Sequence, residues 1–276
     1  MTKRAKIRLG TSAFTAAGWE GTFYPEGMKP ADYLTHYATQ FDTVEIDSTY
    51  YRTPSITAVR AWEAKTPKGF LFAAKVPQTI THEHVLVDCD TEFQRFVERM
   101  QLLGEKLGVL LLQFPYFNKM AFATVDAFLA RLRPFLDRLP QDVRFALEVR
   151  NKNWLGPKLY DLLGEHRVAL ALIDHPWMPR PSQLFVPADP ITTDFAYVRW
   201  LGDRKGIEEL TKTWDKTLID RTSELTEWVN VCWKISGRGV PIFAYANNHY
   251  AGNAPATIRL FQEIWEQHGR RKPATS

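Results

Sequence analysis

Cysteine is nearly missing from this chain of 276 residues, which carries only Cys89 and Cys232. Two thiols so far apart cannot build a disulfide framework or a CxxC metal site, and both are expected to stay reduced and inert. No stretch approaches the roughly 18 uninterrupted apolar residues of a membrane span. The N-terminal MTKRAKIRLG lacks the apolar centre of a secretory signal. These absences predict a cytoplasmic chain with no membrane partner. Neither a GxGxxG nor a Walker glycine pattern is present, and no HExxH lies on a helical stretch. Low-complexity tracts and Pro/Gly/Ser linkers are absent too, so residues 1–276 read as a single domain with basic, flexible ends at 1–6 and 270–276.

Acidic residues are missing from both ends. Residues 1–8 hold Lys3, Arg4, Lys6 and Arg8, and residues 269–276 hold Arg270, Arg271 and Lys272. The formal charge of +4 includes +7 from these ends, which leaves the body at −3. Basicity confined to short tails marks solvated termini rather than a nucleic-acid face, so a nucleic-acid partner is disfavoured.

What the sequence does have is a series of short apolar runs, each followed by a turn and a helical pattern. The runs are IRLGTS (7–12), TVEIDS (43–48), FLFAAK (70–75), GVLLLQF (108–114), RFALEV (144–149), VALALID (168–174), FAYVRW (195–200) and PIFAYAN (241–247). Their length and their Val, Ile, Leu and Phe content suit strands buried on both faces. Between them, 90–107 places Phe93, Phe96, Val97, Met100, Leu103 and Leu107 on one helical face, with Asp90 positioned to cap it. A second helix is expected over 121–138, and a last one from about Pro255 to a stop at Gly269. Five prolines in 175–190 forbid a long helix there. Strand–helix alternation of this kind, in a chain near 250 residues, predicts a (β/α)8 TIM-type barrel over an open doubly wound sheet.

Several of these strands carry polar residues on the face expected to point inward. Alternation places Glu45 and Asp47 inside in the second strand, Glu148 and Arg150 in the fifth, and Tyr197 and Arg199 in the seventh. The third ends on Lys75, the fourth on Gln113, the sixth on Asp174 and the eighth on Asn247 and Asn248. Charges are rarely buried unless paired or functional, and catalytic groups of such barrels lie at the C-terminal rim. Guanidinium forks at Arg150 and Arg199, with Lys75, suit a phosphate or carboxylate. Glu148, Asp47 and Glu45 suit proton transfer. Among loop residues, His82, Tyr51 and Trp154 are candidate substrate contacts, and Trp19, Trp177 and Trp200 fall in or beside the same upper loops. His82, His84, His175 and His249 could join the carboxylates around a divalent metal, although no spacing singles out a ligand set. The turn LGDRKG (201–206) offers glycines and cations where barrels often bind phosphate.

The motifs GTSAFTAAGWEGTFYP (10–25), VEIDSTYYRTP (44–54), KVPQTITHEHVL (75–86), LEVRNKNW (147–154) and YANNHYAGNAP (245–255) occur in the order of the YecE-like family, domain of unknown function seventy-two, which the chain resembles from Gly10 to about Trp265. The resemblance implies a β/α barrel whose characteristic positions map onto Glu45, Asp47, Lys75, Thr81, His82, Glu148, Arg150, Arg199, Gly202, Asn247 and Asn248. The chain departs from it at Ala13–Phe14, where relatives often have Ser/Gly–Trp, and at Leu201, where they often carry His. The family's barrel is similar to those of the xylose-isomerase-like and endonuclease-four-like enzymes, a likeness of fold only.

Three functions follow as expectations. The first is a hydrolase- or isomerase-like enzyme acting on a small polar or anionic, sugar-like substrate. The second is a divalent-metal-dependent phosphodiesterase of the nucleic-acid repair kind. The third is a non-catalytic ligand-binding barrel. No cofactor other than that metal is suggested, and the oligomeric state cannot be read.

Overall fold

A computed structural model describes residues 4–271. Eight parallel strands run β1 Ile7–Thr11, β2 Thr43–Ile46, β3 Leu71–Lys75, β4 Leu107–Gln113, β5 Arg144–Glu148, β6 Ala169–Asp174, β7 Ala196–Trp200 and β8 Ile242–Ala246. They pair in the order β1-β8-β7-β6-β5-β4-β3-β2, a nearly closed TIM-type barrel. The predicted runs and the observed strands agree to within a residue or two. Around them lie α1 Tyr33–Gln40, α2 Ile56–Ala64, α3 Asp90–Gln101, α4 Val125–Leu136, α5 Pro157–Glu165, α6 Arg204–Leu210, α7 Thr222–Gly237, α8 Asn248–Ala251 and α9 Ala254–Arg271. Alternation fails between β6 and β7, where the prolines leave a single 3-10 turn at Pro181–Gln183.

The seam between β1 and β2 is closed by a side chain. Tyr37 Oη accepts from Thr11 N at 2.8 Å and donates to the Thr43 carbonyl at 3.2 Å, stitching the two strands where no backbone ladder pairs them. A glycine is required at position 10, because a Cβ there would lie 2.1 Å from the Thr43 carbonyl oxygen.

The barrel interior is narrow and filled. Ala73, Val109, Leu111, Ala146, Ala169, Ala171, Ile173, Tyr197, Phe243 and Tyr245 form one inner cluster, separate from the larger layer between strands and helices. Small alanines inside, with Leu, Val and Phe outside, are what a closed barrel can accommodate.

Several helix ends differ from expectation, among them that of α3, which stops at Gln101, so that Leu107, expected on its apolar face, begins β4. Asp90 does not cap α3; it is the first helical residue, and its carboxylate pairs with Arg138 at 2.9 Å. An acid in that first turn still complements the helix dipole. Gly269 does not stop α9, which continues to Arg271; a Cβ at 269 would sit 3.0 Å from the Trp233 ring, so the glycine makes room for packing. The expected flexible ends lie mostly outside the described residues. Among the described residues no helix is long and apolar enough to cross a membrane. Both cysteines are free and buried, and burial pushes the Cys89 thiol up to about 11 and Cys232 higher still.

Candidate active site

The C-terminal ends of the strands bring most of the predicted polar residues together, in two tiers. The lower tier is sealed. Arg199 reaches across the barrel, with Nη2 donating to Glu45 Oε1 and Nη1 to Glu148 Oε2, each at 2.6 Å. Tyr197 Oη donates to the other Glu45 oxygen at 2.6 Å. Glu45, Glu148 and Tyr197 are 0% exposed and Arg199 is 1% exposed. One guanidinium thus bridges two carboxylates from opposite sides of the ring, the kind of pairing that lets charges persist in a low-dielectric interior.

Above it lies the open tier. Arg150 donates from Nε to Glu148 Oε1 at 2.6 Å, and Lys75 Nζ lies 2.9 Å from Asp47 Oδ1. The side chains of Arg150, Lys75 and Asp47 keep 18%, 14% and 29% of their surface exposed. Arg150 therefore has spare donors, whereas both arms of Arg199 are occupied. His82 stands edge-on to Tyr50, its Nδ1 2.8 Å from Thr81 Oγ1, while Tyr51 projects into solvent at 70% exposure. Gln113 is half-buried and donates to the Phe114 carbonyl.

Electrostatics divide the tiers further. Burial works to raise the Glu148 carboxyl, but the charges of Arg150 and Arg199 outweigh it and hold the group down at about 2. Glu148 is thus a fixed anion that positions two cations, which does not fit the expected proton-transfer role. Burial raises Glu45 against the pull of Arg199. Burial, followed by the charges of Lys75 and Arg150, lowers His82 to about 4, and burial with Arg150 lowers His175 to about 4. Both imidazoles are neutral at neutral pH and sense the same guanidinium.

Several other expectations need correction. Asp174 does not face the barrel axis: Ile173 does, and Asp174 Oδ2 accepts from Trp228 Nε1 at 2.7 Å and Tyr250 Oη at 2.9 Å in the outer layer. The Asn247 and Asn248 side-chain oxygens are committed locally, Asn247 accepting from His249 N to cap α8 and Asn248 from Ala254 N. Arg199, fully buried and doubly paired, cannot clamp a ligand as expected. Trp154 is 8% exposed and stacks on Phe117 and Phe128; Trp19 and Trp200 are buried as well. Among the described residues no three His, Cys, Asp or Glu side chains are grouped to hold a metal ion.

A cleft of about 920 Å³ opens over the β4–β6 side of the mouth. Arg150, Lys119 and Lys152 line it without any carboxylate, together with Asn151, Asn153 and Gln183 and the rings of Tyr116, Trp154 and Trp177. Tyr116 and Trp177 expose 59% and 67% of their surface. Asn151 shapes one wall by exchanging two hydrogen bonds with the Phe117 backbone, at 2.9 and 2.8 Å. Lys119, Asn151, Lys152 and Tyr116 escape a reading by strand parity because they lie in loops; the run NKNW after β5 is the only sequence signal for this wall.

Comparison with known proteins matches residues 8–276 to the family described as "Protein of unknown function DUF72". Over 123 residues the chain is 35% identical to UPF0759 protein YecE of Escherichia coli strain K12, covering 45% of this chain and 43% of that one. It is 28% identical over 152 residues to UPF0759 protein YunF of Bacillus subtilis strain 168, covering 52% of each. The chain spans about half the length of the curated relatives it matches. A crystal structure of a DUF72 family protein from Thermotoga maritima superposes with a TM-score of 0.72 at 28% identity, covering 95% of this chain and 99% of that one. A glycoside hydrolase family 5 enzyme from Prevotella bryantii, at TM-score 0.53 and 8% identity with 96% of each chain covered, shares the fold alone. With its motifs in strand order and the family matching from Arg8 onward, the chain belongs to the DUF72 family.

Proposed function

We propose that this chain is an enzyme acting on a small ring-bearing anion, a phosphorylated or carboxylated sugar-like compound, in the cleft beside the barrel mouth. One observation carries the reading: three cations and five aromatic rings line a ligand-sized cleft that has no carboxylate in its wall. Arg150, pre-oriented by Glu148, holds the anionic group, with Lys119 and Lys152 adding charge. Tyr116 and Trp177 flank the ring. His82 and His175, neutral beside Arg150, are the groups able to accept a proton, with Asp47 held by Lys75 as a third. A glycosidase-like use of Glu45 and Glu148 does not fit, because neither exposes any surface to a sugar oxygen.

The test is a panel of phosphorylated and carboxylated sugars, scored by thermal shift and by turnover. An anionic member of the panel is expected to raise Tm and to be converted, and Arg150→Ala is expected to lose both effects. A panel without any Tm shift, or an Arg150→Ala/Lys152→Ala chain that binds as tightly as the parent, defeats the reading. Binding without turnover reduces the protein to a binding barrel.

A further inference from the structure

Outside the mouth, a second hollow of about 580 Å³ lies where the turn after β2 meets α2 and α3. It shares no lining residue with the cleft at Arg150. Its wall holds three arginines, Arg52, Arg95 and Arg99, with Ser48, Thr49, Thr53 and Ser55, and again no carboxylate. We propose that this hollow is a binding site for a phosphate-class dianion, separate from the barrel mouth.

The arginines are what distinguish it. Arg95 and Arg99 stand four residues apart on α3, so that both guanidinium groups reach the same hollow. Arg52 projects from the turn before α2 into the same hollow. Among the described residues the Arg52 and Arg95 side chains form no ion pair or hydrogen bond; those of Arg144 and Arg167 are unpaired too, but the hollow they line includes Asp142 and Asp194. Arg99 is set in place through one amine only, Nη1 donating to the Pro54 carbonyl at 3.1 Å.

The hydroxyls fit the same ligand. Ser55 Oγ accepts from Ala58 N at 3.1 Å, which leaves its proton free to donate. Ser48 and Thr53 hydroxyls have no protein partner among the described residues. Three guanidinium forks with hydroxyl donors match the tetrahedral oxygens of phosphate, and no carboxylate lines the hollow. The turn also has a second face. Thr49 donates to the Ile46 and Lys75 carbonyls, both at 2.8 Å, while neighbouring Asp47 pairs with Lys75 at the mouth. A dianion in the hollow therefore braces the turn that presents Asp47.

The experiment is calorimetric titration with two probes, inorganic phosphate and glycerol 3-phosphate, on the full chain and on its Arg150→Ala variant, which removes the mouth's anion holder. Saturable binding is expected in both proteins. Arg52→Ala/Arg95→Ala is expected to weaken it by at least ~10-fold, and Arg95→Glu to abolish it. Those arginines are exposed, so an unchanged Tm in the absence of ligand checks that each variant folds. Tighter binding of the ester marks a phosphorylated metabolite as ligand, and equal binding marks free phosphate. Absence of saturable binding in the parent, or binding that survives Arg52→Ala/Arg95→Ala and vanishes in Arg150→Ala, overturns the proposal. Failure of the mouth as an active site leaves these outcomes unaffected.

Discussion

Arg199 and Arg150 reach the same carboxylate, Glu148, from opposite sides, yet they belong to different regions of the molecule. Arg199 lies in the sealed tier, with both Nη amines on carboxylates and 1% of its surface exposed. Arg150 lies in the open tier, anchored through Nε alone and facing a cleft. The comparison teaches that charge inside a barrel is not one signal. Where both terminal amines of a guanidinium are taken up by buried carboxylates, the group holds the ring together; where they are left over, it can hold something else.

The sharpest way to break that comparison is to remove Arg199. Arg199→Met leaves Glu45 and Glu148 buried with their shared partner gone, and loss of one member of a buried pair costs about 3–5 kcal/mol. Urea unfolding at neutral pH measures it. A loss below about 1 kcal/mol would mean that the sealed tier does not bear on stability.

Asp174→Ala comes next. It strands Trp228 Nε1 and Tyr250 Oη, and unsatisfied buried donors cost about 1–3 kcal/mol. Because Asp174 points away from the axis, ligand affinity at the mouth is expected to stay as in the parent. A changed affinity with unchanged stability would return Asp174 to the site.

That residue also shows where the sequence stops being legible. Strand positions could be read because strands buried on both faces are short, apolar and punctuated. Facing could be read where one charge interrupts an apolar strand, as at Glu45, Glu148 and Arg199. In ALALID every residue before the aspartate is apolar, so nothing but size anchors the alternation. The alanines of 169 and 171 are inside and the leucines of 170 and 172 outside, which leaves Asp174 with the leucines. Height along the axis was not legible at all. Alternation tells which face a side chain takes but not whether a lid of neighbours covers it, so Arg199 and Arg150 look alike until their surroundings are assembled. The cleft walls come from loops, where periodicity carries no information, and Trp19 and Trp200 turned out to pack in the core rather than to line the cleft, whereas Trp154 does line it.

Arg150→Ala sharpens the contrast from the open side. Glu148 keeps its bond to Arg199, so the stability cost is expected at about 1–2 kcal/mol, well below that of Arg199→Met. The loss should appear instead as the missing Tm shift with anionic ligand. A variant that unfolds as readily as Arg199→Met would erase the distinction between the tiers.

The smallest effect concerns protons, and it ties the histidines to Arg150. His82 and His175 stand at about 4 in the fold against 6.5 when free, depressed by burial first and by neighbouring cations second. Between those values the unfolded chain binds protons that the folded chain does not, so stability falls as pH drops from 6.5 towards 4 and then levels off. Both groups are only partly shielded, and with screening the two together contribute about 1 kcal/mol or less. Glu148, at about 2 against 4.5, acts in a lower window: its stabilisation is complete above 4.5 and is lost from there to 2. His82→Asn/His175→Asn should flatten the slope between 4 and 6.5 without touching the lower limb. An anion bound at Arg150 cancels part of the charge that depresses both imidazoles, so they rise and binding takes up protons within that same window. Titration calorimetry at pH 5.5 in buffers of different ionisation enthalpy reads that uptake directly. Equal heats in every buffer would mean that the anion sits away from Arg150, and the open tier would then be another sealed one.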